Sequence, residues 1–332
     1  MLTRPLPASR GNRLFRNNGD GTFTDVTERA GVLALQSRGF TPCFADMNGD
    51  RFPELLLVAD GGTSRYFVNT GDGTFTDATA ASGTGQDHFG MGGVVADLNN
   101  DARLDWFVTS IFLYRKGAGN KLYLNQGQHR FTERAVAAGV RDAAFGWGTV
   151  AVDLDHDGWL DLVATTGYTR GLWQGRPSRL WINHGDGTFT DMAAAAGFDH
   201  RLGGRGLLHV DYDTDGDQDL VVTAHGQELR LYRNAVSGRS ANWLRIFLET
   251  RGARTPAPNG VGSRVRGTVG ERQQYRSIGG CAGYLSQSEL SAHFGLGSAQ
   301  RVDELRIEWA NGSVTLMTHV PVNRTLTVQA PP

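Results

Sequence analysis

Four groups of oxygen-bearing side chains share one spacing: Asp46, Asn48, Asp50 and Glu54; Asp97, Asn99, Asp101 and Asp105; Asp153, Asp155, Asp157 and Asp161; and Asp211, Asp213, Asp215 and Asp219. In each group they stand at positions one, three, five and nine of a short loop. A hard divalent cation such as calcium takes six to eight oxygens at about 2.3–2.6 Å, and a tightly curled loop presents alternate side chains and one backbone carbonyl toward such an ion. Four carboxylates this close repel one another without a cation, so the spacing predicts calcium as the bound cofactor. The groups are unequal. The third and fourth carry only carboxylates, with Gly158 and Gly216 at position six. The first and second have Asn48 and Asn99 at position three, and Arg51 and Ala102 in place of the glycine. Fewer charges and a stiffer turn rank the third and fourth loops as the stronger sites.

A second set recurs six residues before each loop: Phe40, Met91, Trp147 and Arg205. Flanking glycines, as in Gly90-Met-Gly92 and Gly146-Trp-Gly148, suit a crowded innermost strand. The bland reading is a packed plug of a central channel. The functional reading is a pocket with an aromatic wall and one cation, Arg205, which a carboxylate, an anion or water must answer. The histidines His88, His156, His184, His200, His209 and His225 show no zinc spacing. Ser286, with His293 seven residues on, lacks a nucleophile elbow.

The elements that carry these residues repeat. The loops begin 97 − 46 = 51, 153 − 97 = 56 and 211 − 153 = 58 residues apart, a period that suits a four-stranded propeller blade. Each loop lies between two short apolar runs, such as Thr149-Val-Ala-Val152 and Leu160-Asp-Leu-Val-Ala164. An alternating run ending in Asn and a glycine turn follows, as in Leu180-Trp-Ile-Asn183 with Gly185-Asp-Gly-Thr-Phe189. These are the third and fourth strands. The same hairpin opens the chain at Leu14-Phe-Arg-Asn17, so the ring begins mid-blade and is expected to borrow strands from its other end; otherwise the half blade is the remnant of a longer ancestor. The fold class is all-β: a propeller over 11–238 and a β-rich domain over 241–330, whose seven or so strands either pack as a separate sandwich, the preferred reading, or complete the ring.

Composition agrees. Glycine is abundant, 45 residues against 10 prolines, as many tight turns require. With 33 basic and 34 acidic side chains the net charge is −1 and no basic run occurs, which argues against nucleic acid. No segment has the length of a membrane span. Cys43 and Cys281 lack metal spacing; they could pair, but buried thiols are the favoured reading. The arginine-bearing stretch from Met1 to Asn18 has no apolar run of signal-peptide length.

The acidic loops resemble the FG-GAP and VCBS repeats of integrin-type propellers, over about Gly11 to Asn234. From Asn242 the repeat stops. Asn259-Gly-Val-Gly-Ser-Arg-Val265, Gly283-Tyr-Leu-Ser-Gln287, His293-Phe-Gly-Leu-Gly297 and Val302-Asp-Glu-Leu-Arg-Ile-Glu-Trp309 resemble the ASPIC/UnbV domain, which follows such repeats in cartilage acidic protein-like proteins and bacterial relatives. The resemblance implies calcium and a secreted, extracellular or periplasmic setting. The absent signal sequence leaves a cytoplasmic location open. Two functions of different class follow as expectations: a calcium-rigidified binding or adhesion module for a protein or glycan partner, or an enzyme of specialised metabolism, of cyclase or C–C bond-forming type, acting on a small molecule in the channel.

Overall fold

The structure is a computed structural model that describes residues 11–112, 118–169, 171–236, 241–252, 257–279 and 283–332. Cys281 and the first ten residues of the N-terminal stretch lie outside them. Strands β1 (Phe15–Asn17) and β2 (Phe23–Asp25) form a hairpin. Three four-stranded antiparallel blades follow: β3 (Arg38–Ala45), β4 (Glu54–Asp60), β5 (Arg65–Asn69) and β6 (Phe75–Asp77); β7 (Gly90–Ala96), β8 (Asp105–Ser110), β9 (Lys121–Asn125) and β10 (Phe131–Glu133); β11 (Gly146–Val152), β12 (Asp161–Thr166), β13 (Arg179–Asn183) and β14 (Phe189–Asp191). The fourth blade has three strands, β15 (Gly204–Val210), β16 (Asp219–Ala224) and β17 (Arg230–Tyr232).

Each second strand is sandwiched between blades, which is why β4, β8 and β12 are apolar through their middles and buried almost throughout. Leu56, Val58 and Tyr66 of blade one pack on Trp106, Tyr123 and Phe131 of blade two. Equivalent clusters join blades two and three, and three and four. Each first strand carries a bulge at the residue of the expected channel set, where its register to the second strand shifts between Gly39 and Thr41, Gly90 and Gly93, Gly146 and Thr149, and Gly204 and Leu207. A bulge bends a strand and re-aims one side chain, here toward the axis.

The glycines beside those residues serve the backbone. A Cβ on Gly92 would lie 2.2 Å from the carbonyl oxygen of Trp147, and one on Gly148 2.4 Å from that of Arg205. They let the next blade approach, and hydroxyls then tie the blades: Thr41 Oγ1 donates to Met91 O at 2.9 Å and Thr165 Oγ1 to Arg205 O at 2.9 Å.

The expected borrowing of strands is not found among the described residues. β1 and β2 pair only with each other among the described residues, and the hairpin packs on blade one through Val26, Ala30, Val32, Leu55 and Phe67.

The C-terminal strands form a sandwich. A three-stranded sheet holds β18 (Asn242–Glu249) between β21 (Ser291–Gly297) and, in parallel, β24 (Arg324–Gln329). It faces a four-stranded sheet ordered β20 (Arg272–Ser277), β19 (Arg264–Val269), β22 (Arg301–Glu308) and β23 (Val314–Pro321). Alternate residues such as Leu244, Ile246, Val265, Phe294, Leu305 and Ile307 make one core between them.

Candidate metal loops and the ring axis

All four acidic loops are built alike. The position-nine acid opens the second strand, buried: Glu54, Asp105, Asp161 and Asp219. It accepts the position-two N–H of its own loop (Met47 at 2.8 Å, Leu98 and Leu154 at 3.0 Å, Tyr212 at 3.2 Å). Its other oxygen accepts the N–H of the asparagine that ends or follows the third strand, Asn125, Asn183 or Asn234 in blades two to four. That asparagine's Nδ2 in turn donates to the position-two carbonyl of the preceding blade's loop, Met47, Leu98 or Leu154. One carboxylate and one amide thus fix each loop to its own blade and to its neighbour's.

The position-six N–H donates to Oδ2 of the position-one aspartate in every loop: Arg51 to Asp46, Ala102 to Asp97, Gly158 to Asp153 and Gly216 to Asp211. Arg51 and Ala102 adopt the same left-handed turn as the glycines, with φ of 74° and 64°. The position-five aspartates accept the N–H two residues on, for example Trp159 to Asp157 at 2.8 Å.

The loops differ in what reaches the position-one carboxylate from the sandwich. The Arg264 guanidinium pairs with Asp46 in the first, Gly295 N–H donates to Asp153 at 3.1 Å in the third, and Arg245 meets Asp211 at 2.8 Å in the fourth. Arg276, buried between the second and third loops, bonds to His293 O and Gln274 and lends positive potential to Asp153 and Asp97. The sandwich therefore sits on the acidic-loop face of the ring. In the third and fourth loops the remaining oxygen, Oδ1 of Asp153 and of Asp211, is buried without a hydrogen-bond partner. Oxygens of Asp153, Asp155 and Asp161 lie within 4.8 Å of one another, as do those of Asp211, Asp213 and Asp215. Asp157 lies outside the first cluster and Asp219 outside the second.

Burial dominates the electrostatics. It pushes Asp153 up to about 7, against the pull of Arg276, and Asp97 up to about 6; Glu54 rises to about 7, with Asp50 and Asp46 adding to the effect of burial. Asp161 is raised by burial and then by Asp153. A buried carboxyl that resists ionising, beside others like it, is the donor set a hard dication satisfies, because the ion supplies the charge that the fold withholds.

At the axis, Phe40, Met91 and Trp147 form one cluster with Phe145 and Trp173. Trp147 stacks on Phe145 with centroids 5.1 Å apart, Phe145 on Tyr168 at 5.2 Å, and the Arg205 guanidinium lies 3.9 Å over the Trp147 ring. Arg205 donates to the carbonyls of Gly167, Gly203 and Gly204 at 3.3, 3.1 and 2.8 Å. Its guanidinium is met by carbonyl dipoles and an aromatic face, and no carboxylate pairs with it among the described residues. The axis itself is filled from the sandwich. Gly283 bridges to Gly93, Tyr284 packs against Phe40 and Trp147 at 6.0 and 5.2 Å, and Ser286 Oγ donates to Leu207 O at 2.8 Å. Ser286 is thus a docking residue.

Two histidines with no sequence signal, His156 and His293, meet between ring and sandwich, with His209 near enough for its charge to bear on His293. His156 and His293 lie 5.2 Å apart, His293 Nε2 contacts Gly216 O at 3.2 Å, and His209 Nδ1 contacts Gln218 Oε1 at 2.8 Å. Their spacing in the chain, 53 residues between His156 and His209 (209 − 156) and 84 between His209 and His293 (293 − 209), carries no motif.

Residues 6–57, 46–108 and 111–164 match the FG-GAP-like repeat family, and residues 253–332 match the ASPIC and UnbV family. The chain is an FG-GAP repeat protein with an ASPIC and UnbV domain. It is similar to cartilage acidic protein 1 of Homo sapiens, 29% identical over 314 residues that make up 87% of this chain and 43% of the relative. The Mus musculus protein of that name is 29% identical over 87% of this chain and 44% of its own length, and the Xenopus tropicalis one 28% identical over 79% and 40%. The chain thus spans less than half the length of the curated relatives it matches. The FG-GAP matches end at 164, yet the fourth acidic loop keeps the same bonds. The ASPIC and UnbV match begins at 253, after β18, the central strand of its sheet.

Proposed function

We propose that this chain is a calcium-rigidified binding module of extracellular type, in which ions in the third and fourth loops lock the FG-GAP blades and the aromatic mouth around Trp147 receives a protein or glycan partner. The observation that carries the calcium reading is the pair of buried, unpartnered oxygens, Asp153 Oδ1 and Asp211 Oδ1, each inside a carboxylate cluster. Asp153, Asp155 and Asp161 would hold one ion, and Asp211, Asp213 and Asp215 the other, with a loop carbonyl completing each set. The likeness to proteins named cartilage acidic protein favours an extracellular setting, and no described helix is long and apolar enough to cross a membrane.

A binding surface suits the mouth better than a catalytic channel. The charge of Arg205 is already answered, and Tyr284 occupies the axis. What remains accessible is aromatic and aliphatic: Tyr168 is 41% exposed, Leu172 79% and Leu285 81%. Large, rigid aromatics stack on sugar or peptide faces at small entropic cost.

Titration calorimetry of chelator-treated protein with calcium tests the metal reading. Two tight sites are expected, with a melting temperature that rises with free calcium because the ion binds the folded state. Heatless titration and a melt indifferent to chelator would refute it.

A further inference from the structure

Blades one to three each finish on a fourth strand, whereas among the described residues the fourth blade ends on β17. Two features of that bare edge point to a ligand. The first is shape: a groove of about 800 Å³ lies between the outer strands of blade three and β17, walled by Leu180, Ile182, Met192, Phe198, Leu231 and Tyr232. In complete blades the phenylalanine that opens the fourth strand closes the equivalent space. Phe131 packs edge-on against Tyr66 of the preceding blade at 5.2 Å, and Phe131 and Phe189 are each 8% exposed. Leu231 is 45% exposed, although its equivalents Tyr66, Leu122 and Leu180 are 0%, 1% and 6% exposed.

The second feature is charge. The aspartate that ends an outer strand pairs with the arginine that precedes or opens the neighbouring strand: Arg13 with Asp25 at 3.3 Å, Arg65 with Asp77 at 3.5 Å and Arg179 with Asp191 at 2.9 Å. Arg230 holds that place in the fourth blade, and its acid is Glu228, two residues before it on the surface. The aromatic and the acid that the edge lacks are the two ends of one short motif. Gly-Asp-Gly-Thr-Phe-Thr-Asp occurs identically at Gly19–Asp25, Gly71–Asp77 and Gly185–Asp191.

We infer that β17 and its groove accept an extended segment of a partner protein with the chemistry of the repeat's own outer strand: an aromatic residue, then threonine, then a carboxylate. The segment adds to the β17 edge by main-chain hydrogen bonds, its aromatic ring enters the groove beside Leu180 and Leu231, and its carboxylate meets Arg230. This inference does not depend on the calcium reading.

The test uses the whole chain and a fluorescent synthetic peptide, Gly-Asp-Gly-Thr-Phe-Thr-Asp-Met, read by anisotropy. Saturable binding is expected, at least tenfold weaker for the peptide with serine in place of phenylalanine, and at least tenfold weaker for Leu231→Asp or Arg230→Glu chains whose melts match the parent. A peptide ending in lysine should recover affinity for Arg230→Glu. Absence of binding at millimolar peptide, or equal binding of the serine peptide, overturns the inference. Sedimentation velocity completes it: the chain alone is expected to be monomeric. Self-association abolished by Phe23→Asp would place a second copy's β2 in the groove and overturn the assignment to a separate partner.

Discussion

At the scale of single residues, the position-one aspartates have two tasks, and their two oxygens divide them. Oδ2 accepts the turn N–H and, in three loops, meets an N–H donor or a guanidinium from the sandwich; Oδ1 of Asp153 and Asp211 has no hydrogen-bond partner and is the oxygen the proposed ion would take. Asp153→Asn keeps the shape and removes the charge, so calorimetry should lose one tight calcium site and the calcium-dependent rise in melting temperature should shrink by about half. Asp155→Ala should cost more than Asn99→Ala in the same assay, since Asp155 lies within the third loop's carboxylate cluster. The pH dependence has a definite sign. Asp153, Asp97 and Glu54 titrate near 7, 6 and 7 in the fold, above the ordinary carboxyl range, so without metal the folded state holds more protons than the unfolded chain. Their contribution to stability is fully present below about pH 4 and is lost as pH rises through 6 to 7. Calcium needs the ionised forms, so its stabilisation runs the opposite way. Melts with and without chelator should therefore diverge more at pH 7.5 than at pH 5.5, and parallel curves would contradict the assignment.

At the scale of elements, the blades are held by close backbone approach and by loops with left-handed turns. Gly148→Ala would drive a Cβ into the Arg205 carbonyl, which is backbone and cannot move aside. Overpacking of this kind typically costs about 1–3 kcal/mol or more, and chemical denaturation of the chain should show it at the upper end. Ala102 is the converse case. Its φ of 64° strains an alanine, so Ala102→Gly should raise stability by about 1 kcal/mol through relief of that strain, partly offset by the entropy of the unfolded glycine.

At the scale of the whole molecule, the sandwich caps the acidic-loop face and sends one segment up the axis. Arg245 and Asp211 are a buried pair, their side chains 6% and 0% exposed. Arg245→Met leaves that carboxylate without its partner, and breaking such a pair costs about 3–5 kcal/mol. The loss should be largest in chelator and smaller in saturating calcium, where the ion replaces the guanidinium. Limited proteolysis should then release a C-terminal fragment from the variant in chelator before it does so from the parent. Equal cleavage of both would show that Arg245 does not hold the docked sandwich.

The sequence by itself determined the repeat, the strand order within a blade, the register of Phe40, Met91, Trp147 and Arg205, and the seven-stranded C-terminal region. These are local: a loop of alternating acids between two apolar runs, or a hairpin around Gly-Asp-Gly, specifies its geometry through contacts within a few residues. The partners of Arg205, the bonds that make Ser286 a docking residue, the Arg264 and Arg245 contacts with Asp46 and Asp211, and the meeting of His156 and His293 near His209 were decided by the tertiary structure. Apart from the bonds of Arg205 to Gly203 and Gly204, these join residues tens to hundreds of positions apart, as Arg264 to Asp46 does across 218 positions, and such pairs have no spacing to read. The hairpin that pairs only with itself and the β17 edge, uncovered among the described residues, follow for the same reason. A blade's sequence encodes which strands it contains, and only packing against a neighbour decides whether its edge is covered.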